Sequence, residues 1–281
     1  MIDQLAGSLA RDAEILAAAL RAAGHGLILV VTGAGVSAPS GLATFRGSDS
    51  QAIWNRDITE VGTRAFFERH PVAWWQWFLE RFAGLRDARP NSAHHALAAL
   101  ERWQLAHGGG YLLVTQNIDT LHEQAGSRRF VQVHGRADRL RCSRHGCLNG
   151  APTGSLPESA GLLAGFAADP RRETLPRCAV CGELLRAHAL LFDEFYDEHN
   201  DYGFAAVRRA SEEMALALFV GTSFAVGVTE HVLRQARRSR VTVLSVDPAP
   251  GPLPPAVINL RAPAERLLPE TCRRLAIPLP G

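Results

Sequence analysis

Residues 27–47, reading LILVVTGAGVSAPSGLATFRG, restrict the fold of this chain more than any other stretch. The apolar run 27–31 is too short to span a membrane and suits a buried strand. It leads into Thr32-Gly33-Ala34-Gly35-Val36-Ser37-Ala38, where Gly33, Gly35 and Ala38 satisfy the G-x-G-x-x-G/A pattern of a dinucleotide-binding turn. Glycine is required where the chain turns tightly and a pyrophosphate approaches the backbone, and the N–H groups of a helix start would face its charge. A tight strand-to-helix turn without a ligand carries the same pattern, so the neighbouring residues have to decide. Ser37, Thr44 and Arg46 follow within one loop. An ordinary unit of this kind reaches a second strand and an acidic ribose ligand about 20 residues on. Here a polar loop and a helical segment intervene, and the next clear strand is 111–115. The pattern predicts an insertion over the cofactor edge and disfavours a dehydrogenase.

The rest of the chain repeats one theme, an apolar strand ending in small or polar residues. Residues 111–115 run into Gln116-Asn117-Ile118-Asp119, 130–133 into His134-Gly135, 216–220 into Gly221-Thr222-Ser223, and 241–246 into Asp247. Polar groups just past the carboxyl ends of strands are where open α/β sheets bind ligands. With helical spacing at Leu5, Leu9, Leu16 and Leu20, and a helix over 228–238, the chain reads as an α/β protein with a Rossmann-like, doubly wound parallel sheet. Residues 71–85 predict a helix with proline in its first turn and an aromatic stripe at Trp74, Phe78 and Phe82. A second helix starts at the N-cap Asn91. His94 and His95 on it read as packed, hydrogen-bonded side chains.

The 281 residues suffice for a large domain with a small satellite, and 47% apolar with 21% charged residues excludes a disordered chain. A net charge of +2 with scattered basic residues makes no electrostatic case for nucleic acid. With a polar start and no long apolar run, the chain reads as soluble and cytoplasmic, with no membrane partner. The oligomeric state is not legible.

Four of the five cysteines lie in a glycine- and proline-rich stretch, as Cys142-x-x-x-x-Cys147 and Cys178-x-x-Cys181. Two thiolate pairs on tight turns suit one tetrahedral structural zinc. His145 is an alternative to Cys147 in the first pair, and a redox role for Cys178 and Cys181 leaves the first pair unexplained. The expected organisation is a discontinuous Rossmann-like dinucleotide-binding domain (1–47, 104–135 and 187–281), a helical module (48–103) and a zinc module (136–186). Cys272 stands apart, in a packed helix.

Together, GAGVSAPSGLATFRG (33–47), TQNIDTLH (115–122), VHG (133–135), the cysteine pairs, LLFDEFYDE (190–198), GTS (221–223) and SVD (245–247) resemble the sirtuins, NAD-dependent protein-lysine deacylases, in the family's order over nearly the whole chain. The resemblance implies NAD as co-substrate, a structural Zn2+, and acylated lysine on proteins or peptides as substrate. It implies that Gly33, Ala34, Gly35, Ser37, Thr44, Phe45 and Arg46 hold the pyrophosphate and nicotinamide ribose. Gln116, Asn117, Ile118 and Asp119 line the nicotinamide pocket, with Asn117 and Asp119 catalytic, and Gly221, Thr222, Ser223 and Asp247 hold the adenosine half. His134, titrating near neutrality, becomes the base that activates a ribose hydroxyl against an imidate. The products are nicotinamide, free lysine and O-acyl-ADP-ribose. Leu190, Leu191 and Phe192 would pair as a strand with the substrate backbone.

Some residues depart from the family pattern. Ala43-Thr44 stands for Pro-Asp, Asp193 for a glycine, Asp247 for an asparagine, and Ala225-Val226-Gly227-Val228 lacks a proline. Thr44 points to the bacterial branch near the dicarboxyl-lysine deacylases, which marks its acyl pocket with a small residue and Tyr-x-x-Arg. Gly62, Phe78 and Arg81 take those places here. Phe78 and the tryptophans predict a roomy apolar pocket for acetyl or a longer aliphatic chain, while Arg81 keeps succinyl open. Asp193 and Ala43-Thr44 also keep open NAD hydrolysis or ADP-ribosyl transfer at the same site, and an NAD-sensing module without turnover is a third reading.

Overall fold

A computed structural model describes residues 2–43, 56–158, 161–224 and 227–280. These residues form nine strands: β1 (Leu27–Thr32), β2 (Gly110–Thr115), β3 (Phe130–Gln132), β4 (Gly135–Cys142), β5 (Leu156–Pro157), β6 (Leu185–Ala189), β7 (Met214–Val220), β8 (Thr242–Val246) and β9 (Val257–Leu260). Six make one parallel sheet in the order β3-β2-β1-β7-β8-β9. This is the doubly wound order, and the reversal beside β1 opens a crevice at the strands' carboxyl ends. β1 is central, Val30 lying opposite both Leu113 and Leu218, which explains why its run is apolar throughout. The edge strand β9 has no counterpart in the sequence reading. It is short and alternately exposed, and it follows a proline-rich segment with no periodic signal.

Helices cover both faces. Ile2–Ala23, Ser92–Ala106 and Ala264–Arg274 enclose one core around Leu16, Leu97, Leu218 and Leu268, while Phe204–Glu213 and Gly227–Arg238 enclose another around Val31, Phe219 and Val232. Asn91 caps Ser92–Ala106 through a reciprocal pair of bonds with His94, as its residue type foretold. This helix packs on the large sheet, so its residues 92–103 do not belong with the helical module to which the boundary at 103 assigned them. The reason is its small, alanine-rich face, which lies flat against Ala264–Arg274. Cys272 is buried in that partner helix.

The second layer is small. β5-β4-β6 form an antiparallel sheet, and Leu185–Ala189 belongs to it, so a boundary at 187 cuts through β6. The helix Pro71–Arg81 packs on this sheet, its Trp75 Nε1 donating to the Leu185 carbonyl at 3.1 Å. Trp74 and Phe78 stack at 5.1 Å, and with Phe67 they share one core with Leu140, Leu163, Phe166, Cys142 and Cys178. The helical and cysteine segments are therefore one packing unit. Each fully buried large apolar side chain there contributes about 1.5–3 kcal/mol. No helix among the described residues is long and apolar enough to cross a membrane.

Candidate active site and cysteine cluster

Two glycine turns lock together at the carboxyl ends of β1 and β7. Gly33 N–H donates to the Val220 carbonyl at 3.1 Å, and Gly35 N–H to that of Gly221 at 3.0 Å. A Cβ on Gly35 would lie 2.8 Å from Gly221 Cα, and one on Gly33 would lie 2.8 Å from Gly221 O. Gly221 itself has φ +58°, a conformation glycine takes freely. Both glycines of the expected pyrophosphate turn are thus required first by the contact between the two loops. The helix expected after them is absent, replaced by the single 3-10 turns Ala34–Val36 and Ala38–Ser40. Thr44, Phe45 and Arg46 lie outside the described residues.

Below these turns sits a closed polar network. Ser37 Oγ donates to Asp119 Oδ2 at 2.9 Å and accepts from Asn117 Nδ2 at 3.0 Å. Asn117 Nδ2 also reaches the Gly33 carbonyl at 3.2 Å. Gln116 Nε2 donates to Thr222 Oγ1 at 2.9 Å and so ties the β2 loop to the β7 loop. Burial pushes the Asp119 carboxyl up, against the Leu121 N–H, Ser37 and Asn117, which favour its charged form. Two residues hold this network in place without having been singled out as site residues. His94 accepts the Asn91 N–H on Nδ1, which turns Nε2–H toward Ser37 Oγ at 3.5 Å. Gln132 Nε2 donates to the carbonyls of Asn117 and Asp119 at 3.1 and 2.7 Å. Gln132 precedes the strand-end His134 by two residues, and sequence spacing alone does not show that it turns back under the loop. Ile118 sits beside these groups on the cavity described below. Ser223 is exposed at the rim, and Asp247 Oδ1 accepts its own Ala249 N–H at 2.9 Å, leaving Oδ2 for a hydroxyl.

His134 is half-buried at the end of β3, opposite Gln116. Its Nδ1 lies 2.7 Å from the Gln116 carbonyl, which can only accept, so Nδ1 carries the proton and Nε2 keeps the lone pair. Burial lowers its pKa to about 4, against the raising effect of that bond. Burial thus biases the imidazole toward its neutral form, below the near-neutral titration expected from the sequence. Nε2 faces the Tyr196 hydroxyl at 3.4 Å.

The four cysteines converge. Cys142 Sγ is 3.4 Å from Cys181 Sγ, Cys147 Sγ is 3.7 Å from Cys178 Sγ, and all four sulfurs lie within 4.8 Å of one another. A zinc ion with bonds of about 2.3 Å to four thiolates sets them about 3.8 Å apart. Cys147, not His145, completes the set. Gly146 and Gly182, both at φ +77°, turn the two knuckles. Burial pushes the Cys178 thiol up, but the Val180 and Cys181 N–H groups and the Asn149 amide outweigh it and bring it to about 6. The donor set and spacing fit a structural zinc.

The profile of the Sir2 family matches residues 33–228, the span from the glycine turn to the helix after β7. The chain belongs to the Sir2 family. It is 39% identical over 236 residues to an NAD-dependent protein deacylase of Thermus thermophilus, covering 83% of this chain and 84% of that one. A crystal structure of a Sir2 homologue with NAD superposes with a TM-score of 0.75 at 31% identity, over 94% of this chain and 95% of the other. A Sir2 structure with a deacetylated p53 peptide and 3'-O-acetyl-ADP-ribose shares the fold, with a TM-score of 0.78 at 23% identity, over 94% and 99%.

On the substrate side this Sir2 protein differs from the expectation. The N–H groups of Leu190, Leu191 and Phe192 donate to the His134 carbonyl, Glu194 Oε2 and the Gly62 carbonyl at 2.9, 3.0 and 3.0 Å. Without a peptide, all three N–H groups are therefore engaged within the chain. Gly62 is small because a Cβ there would lie 2.7 Å from the Ile58 carbonyl oxygen and 2.9 Å from the Phe192 ring. Asp193 accepts the N–H groups of Arg64 and Ala65 at 2.7 and 3.1 Å, at the start of the helix Arg64–Arg69. Its charge is held by a helix N-terminus and bolts the 190–194 segment to the helical segment. Glu194 anchors the other side to buried Arg141, at 2.8 Å, and Arg186. Asp193→Ala is expected to cost about 1 kcal/mol of stability and to raise the KM for an acyl peptide while leaving NAD affinity unchanged. Thermal melts and steady-state kinetics check it.

A cavity of about 410 Å³ runs between Pro71–Arg81, β4 and the Gln116–Asp119 loop. Trp75, Phe78, Leu79, Phe82, Ile118, Leu140 and Leu163 line its apolar part, and Asp119 and Thr120 lie at its polar side. Phe78 is the sequence candidate that reaches it. Gly62 and Arg81 are not among its described lining residues, and burial lowers the Arg81 pKa.

Proposed function

We propose that this chain is an NAD-dependent protein-lysine deacylase that favours aliphatic over dicarboxylic acyl groups. The observation that carries the activity is the neutral His134, its tautomer set by Gln116, standing at the strand ends beside the Ser37–Asn117–Asp119 network. The Sir2 relatives named as deacylases support the same reading. Bound NAD supplies a ribose carbon from which nicotinamide departs and hydroxyls that receive the acyl group. Asn117 and Asp119 are held to orient the nicotinamide end, and Gly221, Thr222, Ser223 and Asp247 to hold the adenosine half. His134 Nε2 takes a hydroxyl proton, and the cavity walls exclude water from the acyl chain.

The acyl preference rests on the cavity. Its apolar part faces the acyl chain, its charged lining includes the acids Asp119, Asp138 and Glu158, and Arg86, among its described lining residues, is already paired with Glu158. Among the described lining residues, a terminal carboxylate would meet no unpaired cation and would face three acids. Acetyl- and myristoyl-lysine peptides are therefore expected to be turned over faster than the succinyl peptide. Arg81→Met is expected to leave the acetyl-to-succinyl ratio unchanged, and a selective loss of succinyl turnover would make Arg81 a carboxylate ligand instead.

Nicotinamide release from NAD, without peptide and then with matched acyl peptides, tests the whole reading. Release that needs an acyl peptide supports deacylation, and release without one supports NAD hydrolysis. Silence in all arms with NAD bound supports a sensing module. Asp193 no longer argues for the second of these, because its carboxylate is engaged by the helix Arg64–Arg69.

A further inference from the structure

We propose that Tyr196 is a positioning residue for the base: its hydroxyl faces the single His134 Nε2 lone pair at rest and accepts the Nε2–H once the ring is charged. This rests on the deacylase reading above. The geometry is a directed chain. Val228 N–H, in the first turn of Gly227–Arg238, donates to Tyr196 Oη at 3.2 Å. With that lone pair engaged, the Tyr196 hydrogen points toward His134 Nε2 at 3.4 Å, a long bond. On the far side of the ring, Nδ1–H donates to the Gln116 carbonyl at 2.7 Å. The imidazole is thus gripped at both nitrogens.

Packing restricts Tyr196 to this place. Its ring stacks on Phe204 at 4.6 Å and lies nearly parallel to His134, 13° between planes at 5.8 Å. The close approach on the other side is to Gly227, where a Cβ would lie 3.4 Å from the Tyr196 ring. The charged group acting on the hydroxyl is Glu230, on the same helix as Val228. A hydroxyl both donates and accepts. An incoming hydroxyl first displaces the Tyr196 hydrogen, which rotates away and frees the single Nε2 lone pair; once Nε2 has taken the proton, its new N–H is shared between the departing oxygen and Tyr196 Oη. The imidazolium then keeps a hydrogen bond on each nitrogen, and no proton is lost from Tyr196.

The test uses the 281-residue chain and Tyr196→Phe, which keeps the ring and removes only the hydroxyl. One readout needs neither NAD nor turnover: the ring ¹⁵N resonances of His134. The wild-type Nε2 signal is expected at the position of a hydrogen-bonded imine nitrogen, moving downfield in Y196F while Nδ1 stays protonated. The second readout is a split in activity. With acyl peptide, exchange of labelled nicotinamide into NAD is expected to be retained, while acyl transfer falls about three- to tenfold, the weight of one neutral hydrogen bond. An unmoved Nε2 signal overturns the proposal, as does an equal fall, or no fall, in both activities. If the variant's spectrum shows a lost fold, Tyr196→Leu on the same two readouts decides by the same criteria. A wild-type chain without NAD-dependent deacylation would overturn the functional reading, and the Nε2 signal would still report on the Tyr196–His134 bond.

Discussion

Replacing His134 by alanine is expected to lower acyl-lysine turnover by about a hundredfold to ten-thousandfold while nicotinamide exchange and NAD binding persist. The separation follows from where each group stands. His134 offers one lone pair, on Nε2, because the Gln116 carbonyl fixes the proton on Nδ1. It therefore serves a step in which a hydroxyl loses its proton. Asn117 and Asp119 lie with Ser37 in the other network, so Asn117→Ala is expected to remove exchange and deacylation together. The pH dependence has a definite sign. A base must be neutral, and burial holds the His134 pKa down at about 4, so activity should be lost only as pH falls toward that value. An unperturbed histidine would already be half protonated at about pH 6.5. Rate measurements between mildly acidic and neutral pH, with labelled-nicotinamide exchange in parallel, check both parts.

Removing the zinc is expected to collapse the small layer and to end deacylation while the six-stranded sheet stays folded. Structural zinc sites contribute about 10–16 kcal/mol of apparent binding energy in small zinc-folded peptides, as large as the whole marginal stability of an ordinary domain, about 5–15 kcal/mol. The consequence is not local. Cys142 and Cys178 share a core with Phe67, Trp74, Trp75 and Phe78, and that helix forms one wall of the acyl cavity. Chelation, or Cys178→Ser, should therefore shift the emission of the helix tryptophans to the red as acyl turnover disappears. A metal-free chain with unchanged tryptophan emission would show that the aromatic core stands without the cysteine cluster.

Local patterns account for much of what was legible. The apolar runs at 27–31, 111–115 and 216–220 announced parallel strands because both faces of such a sheet are covered, and the polar residues at their ends announced the ligand edge. The cysteine spacing announced a metal cluster because two knuckle turns and four thiolates need few long-range contacts to define them. The capping role of Asn91 was readable for the same reason. Even the departures were visible as departures, although their meaning was not.

What only the tertiary structure decided are relations between residues far apart in the chain. Sequence alone determined the doubly wound α/β class, the Sir2-like order of motifs and the cysteine quartet, all of which depend on local composition, spacing and order. Packing decided that Gly33 and Gly35 are required by the Gly221 turn and that Gly62 is hemmed in by the Ile58 carbonyl and the Phe192 ring. It also placed Ser92–Ala106 on the large sheet, neutralised Asp193 at the start of Arg64–Arg69 and brought the Tyr196 hydroxyl to His134. The physical reason is that a side chain's charge, tautomer and room are set by whatever the fold brings against it, and in these cases the partner comes from another part of the chain.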